Sequence, residues 1–229
     1  MLGRKVIFFE LNEVPLRIID YYCQKYPNSC LAQKLPQCQQ YKTYSPDTIL
    51  SPWITWATLH RGVPATQHTI HHFGQNLTAI DREFPPIWQI LASQGILTGV
   101  FGSLHSYPLP KCLDGYTFYV PDSFASSSEC FPENLAIFQE FNLAMARLSG
   151  RNVSDKIPKK ETIDLLINVP NLGLTLSTIL DILQQLMIEK FKPWRKNRRR
   201  TYQTVLGFDL FFKQLKISKP DFCTFLQIM

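Results

Sequence analysis

Residues 5–11 form a short apolar segment that leads straight into a turn and a helical pattern. The segment, Lys-Val-Ile-Phe-Phe-Glu-Leu, is rich in aromatic and β-branched side chains, as is typical of a buried strand. Pro15 follows, where its fixed φ and missing N–H suit the first turn of a helix that we predict over residues 16–26. A strand followed at once by a helix is how a doubly wound sheet begins. We therefore predict an α/β fold with a mostly parallel sheet flanked by helices.

The same strand and helix signals recur along the rest of the chain. We predict a helix over residues 84–94, which prolines open and Gly95 closes, and a strand over residues 96–101. Residues 220–226 predict another buried strand. Further helices are predicted over residues 132–148, 174–190 and 201–215, and residues 106–134 are expected to be rich in loops.

These elements predict one α/β domain over residues 1–229, with residues 106–215 as a loop- and helix-rich insertion within it. In the sequence, the strand predicted at residues 220–226 has no helix after it. We therefore expect the sheet to be incomplete at the C-terminus.

Composition and charge exclude several classes of protein. The 229 residues are 45% hydrophobic and 13% aromatic, too apolar for a disordered chain. The formal net charge is +6, but six basic residues fall within residues 192–200, and the other 18 basic residues face 18 acidic ones. A protein that binds nucleic acid over its whole surface spreads basic residues over a broad face. The charge pattern predicts a single local basic patch.

The cysteines and the N-terminus indicate a compartment. The six cysteines include no Cys-x-x-Cys pair, and the apolar run before Glu10 is only four residues long, too short for a signal-peptide core. We expect reduced cysteines and a cytoplasmic protein. Residues 172–188 are apolar but contain Asp181 and two glutamines, which argues against a membrane-spanning helix. Their helical periodicity favours packing on a core, and the basic run behind them leaves a lipid-facing role open.

The segment with most potential for chemistry is residues 51–74. It contains Ser51, Thr55, two tryptophans and four of the five histidines of the chain. A serine or threonine just before a helix N-terminus is placed to act as a nucleophile, because the free N–H groups there attract an anion such as phosphate. The glutamate and amide at the end of the first strand, Glu10 and Asn12, are placed where ligands bind in α/β sheets.

Here the sequence resembles a known family. After Ser51 and Pro52 comes Trp-x-x-Trp-x-Thr-Leu-His-x-Gly-Val-Pro-x-x-x-His, which is similar to the nucleophile motif of the alkaline phosphatase superfamily. The branch it resembles most is that of the type I phosphodiesterase and nucleotide pyrophosphatase-like proteins. Residues 6–13 look like the first strand of that family, and residues 88–100 look like its next helix–strand pair. The likeness covers residues 5–105.

The resemblance implies a hydrolase of phosphoesters or sulfoesters that uses two divalent metal ions, with zinc the expected metal. A metal-bound Ser or Thr would attack the substrate and form a covalent intermediate. Carried over by position, Ser51 is the nucleophile, with Thr48 and Thr55 as alternatives. Asn12 matches the metal ligand at the end of the strand, with Glu10 as the alternative, and Ser51 would bind the same metal. His105, at the end of a predicted strand, is a further candidate ligand.

Two departures from the family pattern lower the expected activity. An amide at Asn12 is a weaker ligand for a divalent cation than a carboxylate. No histidine follows His105, whereas the family takes further Asp and His ligands from later strands. We expect a truncated form of such an enzyme that comprises its N-terminal part, with at most one partial metal site and weak or absent catalysis. The alternative is a non-catalytic module that binds anionic membrane or nucleic acid, without base specificity, through Lys192–Arg200.

Overall fold

The computed structural model describes residues 5–149 and 156–227, whose centre is a four-stranded parallel sheet. The strands are β1 (Val6–Leu11), β2 (Thr98–Phe101), β3 (Tyr116–Val120) and β4 (Phe222–Gln227). Their order across the sheet is β1-β4-β2-β3, so β4 is paired on both sides. In the register, Phe9 lies beside Phe225 and Gly99 beside Cys223. The prediction of an α/β fold with a parallel sheet is confirmed.

Helices lie between β1 and β2 and between β3 and β4, whereas residues 102–115, which join β2 to β3, contain no helix. The helices are α1 (Leu16–Lys25), α2 (Cys30–Lys34), α3 (Pro52–Arg61), α4 (Ala65–His68), α5 (Thr78–Glu83), α6 (Ile87–Ser93), α7 (Ala136–Ser149), α8 (Lys159–Ile167), α9 (Val169–Leu172), α10 (Leu176–Phe191) and α11 (Arg200–Ser218). Short 3₁₀ segments occupy Leu35–Gln37, Glu133–Leu135 and Pro193–Arg199.

Strands β2, β3 and β4 are covered on both faces, to which their successive side chains point in alternation. On one face, Phe101, Phe118 and Phe225 pack with residues of α7, α8, α9 and α11 in a single buried cluster. On the other face, Val100 and Tyr119 pack with Trp88 of α6. The ring of Trp88 also meets that of His60, which places α3 on the same side as α6.

The sequence predictions hold for three of the four strands and are wrong for one. Strands β1, β2 and β4 lie where they are predicted, with ends shifted by one or two residues. The expectation that the first strand is buried is wrong, because β1 lies at the edge of the sheet and Val6, Ile7 and Phe9 are exposed. Strand β3 falls within residues 106–134, which we expected to be loops, so that expectation is wrong there. Helix α8 was not predicted either. Within the described ranges, no helix is long and apolar enough to cross a membrane.

Candidate functional site

Helix α3 begins directly after Ser51, which occupies its N-cap position. Ser51 is extended, with φ −131° and ψ 140°, and Pro52 takes the first helical position that suits its ring. The helix ends at Gly62, whose φ of 68° favours glycine. A serine at this position usually accepts a hydrogen bond from the first turn. The Ser51 side chain makes no such capping bond, so its hydroxyl is not engaged in closing the helix.

The amide groups of the first turn are largely committed. Pro52 carries no N–H, and the amides of Ile54 and Thr55 donate to the carbonyl of Ser51 at 3.0 and 2.8 Å. Within the described chain, this leaves the Trp53 amide as the first-turn donor for an anion. The partial positive charge at a helix N-terminus adds to that attraction.

The end of β1 is joined to α3 through Asn12. The indole Nε1 of Trp56 donates to Oδ1 of Asn12 at 2.8 Å. Asn12 is 8% exposed, so its carbonyl oxygen needs a partner. The hydrogen bond supplies that partner and brings the end of the strand against the helix.

Glu10 lies two residues before Asn12, within β1. Its Oε2 is 3.2 Å from Nε2 of His60, and its Oε1 is 3.2 Å from the hydroxyl of Ser103. That hydroxyl is also 2.7 Å from Oγ1 of Thr224 in β4. Glu10 is 1% exposed. The carboxylate therefore joins β1, β4, α3 and the segment after β2 below the surface.

His105 follows β2 and reaches the first turn of α3. Its Nε2 is 2.8 Å from the carbonyl oxygen of Trp53, which can only accept, so Nε2 carries the proton. His105 has a φ of 61°, a left-handed conformation that histidine adopts more readily than most residues. Burial lowers its pKa to about 4, although the hydrogen bond to Trp53 opposes the shift. The imidazole is therefore neutral at pH 7.

A hydrogen-bonded network fastens the loop before α3. The Thr58 hydroxyl donates to Oδ2 of Asp47 at 2.5 Å and lies 2.9 Å from Nε2 of His68. The amide of Ile70 donates to Nδ1 of His68, so Nε2 of the neutral ring carries the proton and donates to Thr58. Burial would raise the pKa of Asp47, but the hydrogen bonds from Thr58 and Ala65 outweigh it and lower the pKa. His68 therefore orders the turn after α3.

The remaining sequence-predicted residues lie around this centre. Thr55 is in the first turn of α3 and half-buried, whereas Thr48 is exposed in the loop beside Asp47. The structure thus brings Asn12, Glu10 and His105 against α3. The network of Asp47, Thr58 and His68 and the bridge through Ser103 are not predicted from the sequence. The spacing Pro-x-x-x-His contains the signal for His68, but nothing in the sequence marks Ser103.

A cavity of about 720 Å³ adjoins His105 on the α6 face of the sheet. Its wall includes Trp88 and the aromatic side chains of Tyr116 and Tyr119. Asp122 lies behind this region, where its carboxylate accepts from the amide of Phe124 at 2.8 Å. Burial raises the pKa of Asp122 to about 6, although backbone hydrogen bonds oppose the shift.

The donors at this edge do not fit the two metal ions that the resemblance implies. Oδ1 of Asn12 already accepts from Trp56, and the Glu10 carboxylate is buried against His60. Among the described residues, no group of three or more His, Cys, Asp or Glu side chains could hold a metal ion. A metal ion needs several such donors at once.

Comparisons of the chain with protein-family models, curated proteins and solved structures find no match. The likeness to the alkaline phosphatase superfamily thus rests on the motif after Ser51 and on the strands beside it. What this site can do is inferred from its own residues.

Proposed function

We propose that the carboxyl edge of this sheet binds a phosphoester or sulfoester, and that the protein is a weakly active ester hydrolase of the phosphodiesterase or phosphatase type. Ser51 is its nucleophile. The observation that carries the proposal is the convergence of two strand ends on α3. Asn12 after β1 bonds Trp56, and His105 after β2 bonds Trp53.

This convergence fixes the start of α3 at the edge where open α/β sheets bind their ligands. The Trp53 amide and the positive end of the helix would hold the anionic ester. The Ser51 hydroxyl stands at the same end and makes no capping bond. Thr48 and Thr55 remain the alternative nucleophiles. Thr48 lies in an exposed loop, and Thr55 belongs to the helix itself.

The chemistry proposed for Ser51 is substitution at phosphorus. Its oxygen forms a bond to phosphorus, the bond from phosphorus to the leaving oxygen breaks, and the leaving group departs with the electron pair. The serine proton passes to water, since no hydrogen bond from Ser51 to a basic side chain is found among the described residues. Water then hydrolyses the covalent intermediate and regenerates the serine.

Both steps are expected to be slow. His105 is held by its bond to Trp53 and has a pKa of about 4, which makes it a poor base. Metal assistance, with zinc as the expected ion, is a prediction of the resemblance, and the donor set of the described residues does not support it. The cysteine pattern supports a cytoplasmic location as part of this proposal.

The experiment is a hydrolysis assay with bis(4-nitrophenyl) phosphate on the purified chain. We expect a burst of up to one equivalent of 4-nitrophenolate per chain, then a slow steady phase, because a covalent intermediate accumulates when its hydrolysis is slow. Ser51→Ala abolishes the burst. Thr48→Ala and Thr55→Ala are the matched controls and keep it.

Three outcomes would overturn parts of the proposal. No burst from the folded wild-type protein would remove the hydrolase function. A burst that survives Ser51→Ala but not Thr48→Ala or Thr55→Ala would move the nucleophile. Rapid sustained turnover on adding zinc or manganese would contradict weak catalysis and require metal ligands in addition to those described.

A further inference from the structure

Helix α10 has two apolar faces, and only one of them packs on the protein. Ile179 and Ile182 lie against the main core cluster. The helical periodicity of the apolar residues favoured packing on a core and left a lipid-facing role open. The expectation of core packing is wrong for the residues that lie next to this face around the helix: Leu176, Leu180, Leu183 and Met187.

The second face is a continuous exposed stripe. It is formed by side chains spaced three or four residues apart, which share one side of a helix: Leu176, Leu180, Leu183, Met187 and Phe191. Leu176 is 73% exposed, Met187 64% and Phe191 83%. Scattered exposed apolar residues are ordinary, but a contiguous patch of this kind marks an interaction surface.

The patch extends beyond α10. Leu166 of α8 and Leu183 of α10 line the same apolar groove, so the two helices are neighbours at the surface. Ile163 and Ile167 of α8 are exposed beside it, at 56% and 71%. The apolar surface therefore spans two helices.

Cationic residues border one end of the stripe. Lys190 and Lys192 are exposed next to Phe191, and Arg198 is exposed in the 3₁₀ segment that follows. Trp194 is 62% exposed, and the guanidinium groups of Arg195 and Arg198 lie over its ring. This pattern of leucines, aromatic residues and cations is typical of helices that lie in a membrane interface.

Arg199 has a different role from its basic neighbours. Its Nε donates to Oε2 of the buried Glu189 at 2.9 Å, and the Tyr202 hydroxyl donates to the other oxygen of that carboxylate. Arg199 therefore holds the basic segment onto α10. A test of surface charge should leave it in place.

We propose that α10 and Pro193–Arg199 dock on the surface of an anionic lipid bilayer. The apolar stripe enters the boundary between headgroups and acyl chains, Phe191 and Trp194 lie at the interface, and the cations meet lipid phosphates. The positive charge of the bordering residues favours an anionic bilayer over a neutral surface. The apolar stripe favours lipid over nucleic acid, because the phosphates of nucleic acid make no apolar contacts with leucine side chains. This docking is independent of the proposed hydrolase activity.

The test is sedimentation of the full chain with lipid vesicles. One set of vesicles contains phosphatidylcholine alone, and the other contains about 30% phosphatidylserine, which gives a strongly negative surface. Binding is expected only to the anionic vesicles and should weaken as salt is raised. Leu180→Gln, Met187→Gln and Phe191→Gln together should reduce binding at least about tenfold, since each removes buried apolar area. Lys190→Gln, Lys192→Gln and Arg198→Gln together should reduce it by a similar factor.

Matched controls use exposed residues away from α10. The apolar control is Leu16→Gln, Ile18→Gln and Ile217→Gln, and the charge control is Lys25→Gln, Lys34→Gln and Lys111→Gln. Both should bind vesicles like the wild type. Circular dichroism of every variant confirms that it is folded.

The other occupants give different results. Salt-dependent binding to duplex DNA, lost in the charge variant but kept in the apolar variant, together with no vesicle binding, would assign the segment to nucleic acid. A dimer that the apolar variant dissociates, again without vesicle binding, would assign the stripe to a second copy of the chain. Either result overturns the proposal, as does equal binding by the variants and their controls.

Discussion

Nε2 of His60 lies 3.2 Å from Oε2 of Glu10, and both side chains are almost fully buried. The ring of His60 is enclosed by those of Phe8, Trp56 and Trp88. Glu10 is the alternative to Asn12 as the metal ligand that the resemblance implies, but its carboxyl group faces a histidine within the protein. The pair joins the edge strand β1 to α3, the helix that carries Ser51.

Removing the imidazole should destabilise the protein strongly. Among the described residues, His60→Ala leaves the buried Glu10 carboxyl group with Ser103 as its polar neighbour, and a buried polar group without a partner costs about 1–3 kcal/mol. In a Glu10→Gln background the same change should cost clearly less. Urea denaturation of the four proteins in this double-mutant cycle measures the coupling. Additive effects would show that the two side chains do not interact.

The contact between β1 and α3 at Asn12 can be tested separately. Trp56→Phe keeps an aromatic ring but removes the donor to Oδ1 of Asn12, which leaves a buried carbonyl oxygen without its partner. We expect a loss of about 1–3 kcal/mol in the free energy of unfolding. Trp53→Phe is the control, since no hydrogen bond from its indole is found within residues 5–149 and 156–227. An equal loss in both variants would mean that ring volume, and not the hydrogen bond, decides the effect.

The acid stability of the protein should depend on His105. Its pKa is about 4 in the folded state, because burial disfavours the charged ring, against about 6.5 in the unfolded chain. Only the unfolded chain takes up a proton between these values, so this contribution is fully present above pH 6.5 and is lost as the pH falls towards 4. Asp122, with its raised pKa of about 6, acts in the opposite sense over part of this range.

His105→Gln isolates the histidine contribution from that of Asp122. Between pH 7 and pH 4 the variant should lose less stability than the wild type, by up to about 3 kcal/mol. Denaturant midpoints at several pH values supply the measurement, with the exposed His72→Gln as the control. Parallel pH profiles for the wild type and His105→Gln would contradict the assignment.

Strand β3 illustrates which parts of the fold the sequence does not reveal. Its residues Tyr-Thr-Phe-Tyr-Val have the composition of a strand, but prolines and serines surround them, and no helix signal follows closely. The strand is specified by contacts distant in sequence: Gly99 of β2 lies under the ring of Phe118. A single strand of five residues gives too little periodicity to outweigh its surroundings.

The pairing of Gly99 with Phe118 leads to a stability prediction. A Cβ atom at residue 99 would overlap the Phe118 ring, which is fully buried and cannot move aside. Gly99→Ala should therefore destabilise the protein by about 1–3 kcal/mol. Gly207→Ala on α11 is the matched control, since its Cβ would meet Phe138 and Phe101 at ordinary distances of 3.5 and 3.6 Å. Higher helix propensity should make that variant about 0.5–1 kcal/mol more stable. Thermal unfolding of both variants decides whether they differ in sign.

The candidate site, like β3, was only partly predictable, because contacts between residues distant in sequence determine much of it. The position of Ser51 at the start of α3 follows from local signals, namely a serine, a proline and an apolar helix. The environment of Glu10 and Asn12 depends on which side chains of α3 face β1. That orientation is set by tertiary packing, and the sequence does not show that Trp56 donates to Asn12 or that His60 lies beside the Glu10 carboxyl group.

We propose that Ser51 accepts a phosphoryl group at the carboxyl edge of the sheet. The most direct measurement is peptide mass spectrometry of the protein after reaction with bis(4-nitrophenyl) phosphate and acid quenching. We predict a 4-nitrophenyl phosphoryl adduct on Ser51. The adduct should be absent from Ser51→Ala and present in Thr48→Ala and Thr55→Ala. An unmodified Ser51 under conditions that release one equivalent of 4-nitrophenolate, or an adduct on another residue, would contradict the proposal.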